Sequence, residues 1–198
     1  KTRADQALFG IIQGGVDKKM REESARFVSS MNLPGIAIGG LSVGESKPEM
    51  YATLDVLNPL LPEDKPRYLM GVGAPEDLLN GISRGVDIFD CVLPTRLARH
   101  QAAFTHTGRI NLMNAAHSHD QAPIDSDCDC YTCRTFSRAY LRHLIVAKEM
   151  LASSLVSIHN IRFLVKLMEE SRLAIQNGTF AAYSNHILEG YLHSKESI

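Results

Sequence analysis

Four times between residues 7 and 93, a short apolar run gives way to a glycine-rich turn and then to a stretch of helical period. The runs are 7–12 (ALFGII), 35–38 (GIAI), 67–70 (RYLM) and 86–89 (VDIF). Each is short and mostly continuous in apolarity, as parallel strands covered on both faces are. The stretches between them carry helix signals. Ser46-Lys47-Pro48-Glu49 is a capping box with proline at the first helical position. Met50, Leu54 and Leu57 follow on one face. Pro75-Glu76-Asp77 opens another helix, and Gly85 ends it. The helix after Gly15 carries Met20, Phe27, Val28 and Met31 on one side.

Strand, turn and helix in repetition predict an α/β fold with a parallel sheet. Such folds place their chemistry at the carboxyl ends of the strands. Those ends are Gln13-Gly14-Gly15, the segment Gly39 to Glu45, Gly71-Val72-Gly73, and Asp90-Cys91. Four units do not close an eight-stranded barrel, which takes about 250 residues. The alternatives are an open sheet or the second half of a barrel. A chain that does not begin with Met favours the half barrel.

After residue 94 the pattern changes. Residues 104–110, with His106-Thr107-Gly108 inside, predict a small hairpin. A polar, cysteine-rich segment follows at 117–133, and then two helical stretches. In the second, Leu151, Leu155, Ile158, Ile161, Val165 and Met168 form the expected buried stripe, with Asn177-Gly178 as the stop. The expected division is 1–100 for the strand–helix units and 101–198 for the hairpin, metal segment and helices.

Three of the four cysteines, Cys128, Cys130 and Cys133, fall within six residues. The N-terminus lacks the apolar core of a signal peptide. In such a chain this clustering reads as metal binding rather than disulfides, and a cytoplasmic location is the expectation. Zinc takes four soft or borderline ligands in a tetrahedron, and three thiolates on one turn supply most of a structural site. The fourth ligand is open on spacing: His159 or His143 in the helices, or the nearer His117 and His119. No apolar run appears long enough to cross a bilayer. A formal net charge of −1 means that any nucleic-acid partner must be met by a local patch.

Asp90 ends an apolar run. A carboxylate there normally has a partner or a task. It can serve as a nucleophile on a sugar carbon, as a general base, or as a structural acid bridging to Arg96 or capping a turn. Cys91 reads as a small buried residue. Arg96, Arg99, His100 and Arg109, with Arg134, Arg138 and Arg142 further on, are candidates for phosphate contacts or a solvated face.

Taken in order, residues 10–14 (GIIQG), 39–45 (GGLSVGE), 69–73 (LMGVG) and 89–96 (FDCVLPTR), with Cys128, Cys130, Cys133 and His159, resemble the motifs of tRNA-guanine transglycosylases of bacterial type. The resemblance runs from about residue 7 to residue 190. It implies a (β/α)8 TIM barrel, here only its C-terminal half, with a zinc-bearing helical subdomain. It implies exchange of the wobble guanine in the anticodon loop of tRNA for 7-aminomethyl-7-deazaguanine, on the route to queuosine. Asp90 becomes the nucleophile that holds tRNA as a covalent ester. Gln13 and the backbone of Gly40 and Leu41 read the guanine or deazaguanine, and Met70 packs on its face. Glu45 tunes the peptide that meets the aminomethyl group, and Val43 marks the bacterial branch. Arg96 and Arg99 meet the tRNA, and His159 completes one structural zinc site per chain. A homodimer of the full-length protein is implied, with no membrane partner.

Two departures stand out. The chain begins about midway through the family's barrel, without the segment bearing the general acid/base aspartate. His100-Gln101 also replaces the usual Asn-Gly after the arginine. Two other readings compete: a non-catalytic accessory subunit, and a zinc-stabilised RNA-binding module.

Overall fold

The computed structural model describes residue 3 and residues 5–193, with side chains to residue 191. Two compact units divide the chain between Cys91 and Val92.

The first unit carries β1 (Phe9–Ile12), α1 (Lys18–Ser30), β2 (Gly35–Ile38), α2 (Lys47–Leu57), β3 (Arg67–Leu69), α3 (Pro75–Ile82) and β4 (Ile88–Phe89). All neighbouring strands are parallel, in the order β1-β2-β3-β4. The order never reverses, so right-handed crossovers put successive helices on the same face. This is single winding, unlike the reversed order of a doubly wound sheet. The capping box at Ser46 forms, with Glu49 bonding back to the Ser46 backbone. Gly85 takes φ +80° and ends the turn after α3, as expected of a residue free to adopt the left-handed region.

The two faces of the sheet differ. Ile12, Ile36, Ile38 and Leu69 point into a core shared with Ala25, Val28, Met50, Leu54 and Leu57 of the helices. The opposite row, in register, is Ile11, Ala37, Tyr68 and Ile88. Its outer members are bare: Ile11 is 45% and Ile88 41% exposed.

The inward face of α1 differs from the expected one. Arg21, Ala25 and Val28 are buried, whereas Met20 is 62% and Phe27 67% exposed, and Met31 is exposed as well. The physical reason is a polar one: the Arg21 guanidinium turns inward to bond strand-end carbonyls.

The second unit contains α4 (Leu93–Arg99), a hairpin of β5 (Ala102–Thr105) and β6 (Gly108–Asn111), then α5 (Tyr131–Thr135), α6 (Arg138–Val146), α7 (Met150–Gln176) and α8 (Phe180–His193). Its core joins Ala98, Ala103, Leu112, Ile124, Leu141, Leu144, Leu155 and Val156. Here too the expected stripe is corrected. Of its members Leu155 is buried, while Leu151, Ile158, Ile161 and Val165 are exposed. The buried face of α7 runs through Ala152, Leu155, Val156, His159, Asn160 and Leu167. It turns two polar residues inward because the cysteines and the hairpin backbone supply partners for them. By length and composition α7 is also apolar enough to cross a membrane, contrary to the sequence reading, although a third of that window (33%) is buried within the protein.

Candidate active-site rim and metal centre

The carboxyl ends of β1 to β4 present the glycine-rich segments. Asp90 follows β4 directly. It is exposed rather than buried, and Oδ1 accepts from the Tyr68 hydroxyl at 2.7 Å and from the Gly71 N–H at 2.9 Å. The Tyr68 hydroxyl, and then the Gly71 N–H, hold the Asp90 pKa below the ordinary aspartate value. The carboxylate is therefore ionised and fixed through one oxygen. Gly71 reaches this geometry at φ +76°, and a Cβ there would lie 2.5 Å from Ser42 Oγ. Cys91 is half-buried, packed so closely on Gly73 that a Cβ on the glycine would come within 2.3 Å of the cysteine Cβ.

Gln13 lies across the next strand end. A Cβ on Gly39 would sit 2.6 Å from its Nε2, and one on Gly40 2.7 Å from its Oε1. The missing side chains are what admit the amide. Leu41 is buried, Gly40 and Met70 are half-buried, and Val43 is 81% exposed. Glu45 accepts from the Val43 N–H at 3.0 Å, which fixes the Ser42–Val43 peptide.

In the second unit the structure brings His159, and not His143, His117 or His119, to the three cysteines. The donor atoms of Cys128, Cys130, Cys133 and His159 all lie within 4.8 Å of one another. Nδ1 of His159 is 3.2 Å from Cys133 Sγ and 3.7 Å from Cys130 Sγ. A tetrahedral ion with bonds of about 2.0–2.3 Å needs donor separations of roughly 3.3–3.8 Å, so the set fits one ion. Nε2 donates to the Phe104 carbonyl at 2.7 Å, which leaves the Nδ1 lone pair facing the thiols. Cys130 caps α5 and accepts the Cys133 N–H at 3.3 Å. Hydrogen bonds from the Cys128 and Cys133 thiols hold Cys130 below the ordinary thiol range, and the same mutual coupling raises Cys133.

Asn160, beside His159, is also fully buried. Its amide donates to Pro94 O at 3.0 Å and Ala102 O at 3.1 Å, and its carbonyl accepts from Phe104 N at 3.0 Å. The start of α4 is thereby tied to the hairpin and to α7. Arg96 and Arg99 stand exposed on α4, and neither forms an ion pair among the described residues. Two other arginines are already engaged. Arg138 bonds Asp120 and Ile124 O, and Arg142 bonds Met113 O and Asn114 O. Sequence reasoning missed Tyr68 and Arg21; the only signal for either was the proximity of a strand end.

The profile of the family described as "TGT: Queuine tRNA-ribosyltransferase" matches residues 1–193. Among curated proteins, the queuine tRNA-ribosyltransferase of Herpetosiphon aurantiacus is 56% identical over 96% of this chain and 49% of its own length. That of Symbiobacterium thermophilum is 55% identical over 98% of this chain and 48% of its own, and that of Pelotomaculum thermopropionicum 54% over 96% and 51%. The chain thus spans about half the length of the curated relatives it matches. With a family match across nearly its whole length, this chain belongs to the queuine tRNA-ribosyltransferase family.

Proposed function

We propose that this chain forms the C-terminal half of a tRNA-guanine transglycosylase, and that Asp90 is its nucleophile. The observation that carries the reading is the fixed, ionised carboxylate at the end of β4, held by Tyr68 and Gly71 on the rim that also bears Gln13 and Gly40. One oxygen of Asp90 is engaged, and the other is left to attack.

The carboxylate attacks the ribose C1′ of the wobble nucleotide, the glycosidic bond breaks, and guanine departs with its electron pair. An ester then links Asp90 to tRNA. The incoming 7-aminomethyl-7-deazaguanine attacks the same carbon from the opposite face and expels the carboxylate. Two inversions retain configuration. Gln13 and the Gly40–Leu41 backbone read the purine edge, Met70 packs on its face, Glu45 sets the peptide facing the aminomethyl group, and exposed Val43 borders it. Arg96 and Arg99 meet the tRNA backbone in the anticodon loop. The resemblance assigns the general acid/base to a segment outside this chain.

The bare sheet face supports the half-barrel reading. Parallel sheets are covered on both faces, and singly wound βα units complete a (β/α)8 barrel when their relatives are twice as long. Zinc on Cys128, Cys130, Cys133 and His159 supplies cross-linking rather than chemistry, since four protein ligands leave no open position. A homodimer in the cytoplasm completes the proposal.

The test is incorporation of labelled guanine into wobble-guanine tRNA by the full-length protein that contains this chain. Exchange and a covalent RNA adduct, both abolished by Asp90→Asn, are the expected result. A folded, metal-loaded protein without exchange overturns the reading.

A further inference from the structure

Arg21 is completely buried at the end of the first turn of α1. Its Nε donates to Gly15 O at 2.7 Å, Nη1 to Ile12 O at 3.1 Å and Nη2 to Gly40 O at 3.1 Å. All three acceptors are main-chain carbonyls at the carboxyl ends of β1 and β2. A buried guanidinium stays charged, and taking it out of water without an ion-paired partner is costly. Burial pulls the Arg21 pKa down, and the charge of Glu45 works in the opposite direction.

A second buried arginine shows what a purely architectural use looks like. Arg67 opens β3 at the amino end of the sheet and bonds Leu61 O, Pro62 O and the Asn58 side chain. None of its partners touches the rim. Arg21 does the same at the opposite end, where the rim is built.

One of the carbonyls it selects belongs to a peptide that the proposed chemistry needs. Ile12 O also accepts the Gly39 N–H at 3.1 Å, and the Gln13 N–H of the same peptide donates to Ser24 Oγ at 3.2 Å, whereas Gly40 O shares its peptide with the Leu41 N–H. In a trans peptide the N–H points opposite to the C=O. Holding the Gly40 carbonyl therefore aims the Leu41 N–H away from the guanidinium. Gly15 at φ +56° and Gly40 at φ +66° are left-handed glycines, whose adjoining peptides have more than one accessible orientation.

Building on the function proposed above, we propose that Arg21 is a positioning residue for base recognition. Its guanidinium locks the Gly40–Leu41 peptide in the orientation that lets that backbone meet a purine edge, and braces the strand end from which the Gln13 side chain extends. A lysine cannot substitute, because one ammonium does not span three carbonyls in a planar fork.

The experiment uses the full-length protein with Arg21→Lys, Arg21→Met (similar volume, no donors) and Arg67→Lys as the architectural control. Guanine exchange is measured with base and tRNA varied separately, and free-base binding by calorimetry. Metal content and melting temperature report folding. The expected result is a KM for the base raised about tenfold or more in Arg21→Lys, with the KM for tRNA within about twofold of wild type. Arg67→Lys lowers the melting temperature and leaves the base KM unchanged. An unchanged base KM in the Arg21 variants, a joint rise of both KM values, or unfolding of both Arg21 variants overturns the proposal. Wild-type exchange separates that failure from failure of the underlying function, because a wild type that neither exchanges nor binds base overturns both.

Discussion

Tyr68 lies on β3 and Asp90 directly follows the neighbouring strand β4, and the tyrosine hydroxyl donates to Asp90 Oδ1 at 2.7 Å. The bond stabilises the charged carboxylate and lowers its pKa. Removing the hydroxyl in Tyr68→Phe is expected to raise that pKa toward the ordinary value. In the proposed reaction Asp90 attacks in its ionised form, so the acid limb of the exchange rate against pH moves to higher pH. The rate at neutral pH falls by about tenfold through lost positioning. An acid limb that stays in place would show that the bond does not govern the reacting carboxylate. For stability the sign follows the same depression: the contribution is present above the unfolded-state pKa and is lost as pH falls through the folded-state value.

Gly71 serves the same carboxylate from its backbone, at φ +76°. Alanine at this position incurs left-handed strain of about 1–2 kcal/mol and a clash with Ser42 Oγ. Gly71→Ala is expected to lower both stability and exchange, and Ser42→Ala in the same chain to restore part of the stability. Denaturant titration of the single and double variants measures this.

Removal of the metal is expected to unfold the second unit. Binding at a structural zinc site is worth on the order of 10–16 kcal/mol, more than a polar loop such as 117–133 can replace by apolar burial. Chelator titration followed by circular dichroism, with zinc release read alongside, tests it. His159→Ala is expected to mimic the chelated state. A metal-free protein with unchanged helix content would exclude a structural ion.

Asn160→Leu keeps the volume but strands three buried backbone groups, at Phe104, Pro94 and Ala102. The expected cost is about 3–5 kcal/mol, above the usual range for a point substitution. Equilibrium unfolding measures it, and a cost under about 1 kcal/mol would mean that water reaches these groups.

What the sequence revealed, it revealed through backbone chemistry. Parallel strands are apolar throughout, turns at their ends need glycine, and Ser46 with Glu49 has one common use. All three leave local marks. Cys128, Cys130 and Cys133 did so as well, because three ligands on one turn have a fixed spacing. The misread residues are those whose partners lie far away in sequence. Arg21 looks like the polar side of α1 until Gly40, nineteen residues on, offers a carbonyl. Asn160 looks like the polar side of α7 until Phe104 arrives fifty-six residues away, whereas His159 is a candidate ligand from the start, one among several histidines until the fold sets it beside the cysteines. Periodicity assigns such residues to solvent because it counts hydrophobicity and cannot count acceptors.

The adjacency of His159 and Asn160 has a pharmacological consequence. One residue belongs to the candidate metal cluster, and the next holds Pro94 at the start of α4. Loss of a bound ion would loosen the helical turn that carries both residues, and with it the start of α4. On the proposed function, a zinc-stripping compound would act as a slow inactivator whose potency is independent of base concentration, distinct from any competitor built to resemble a purine.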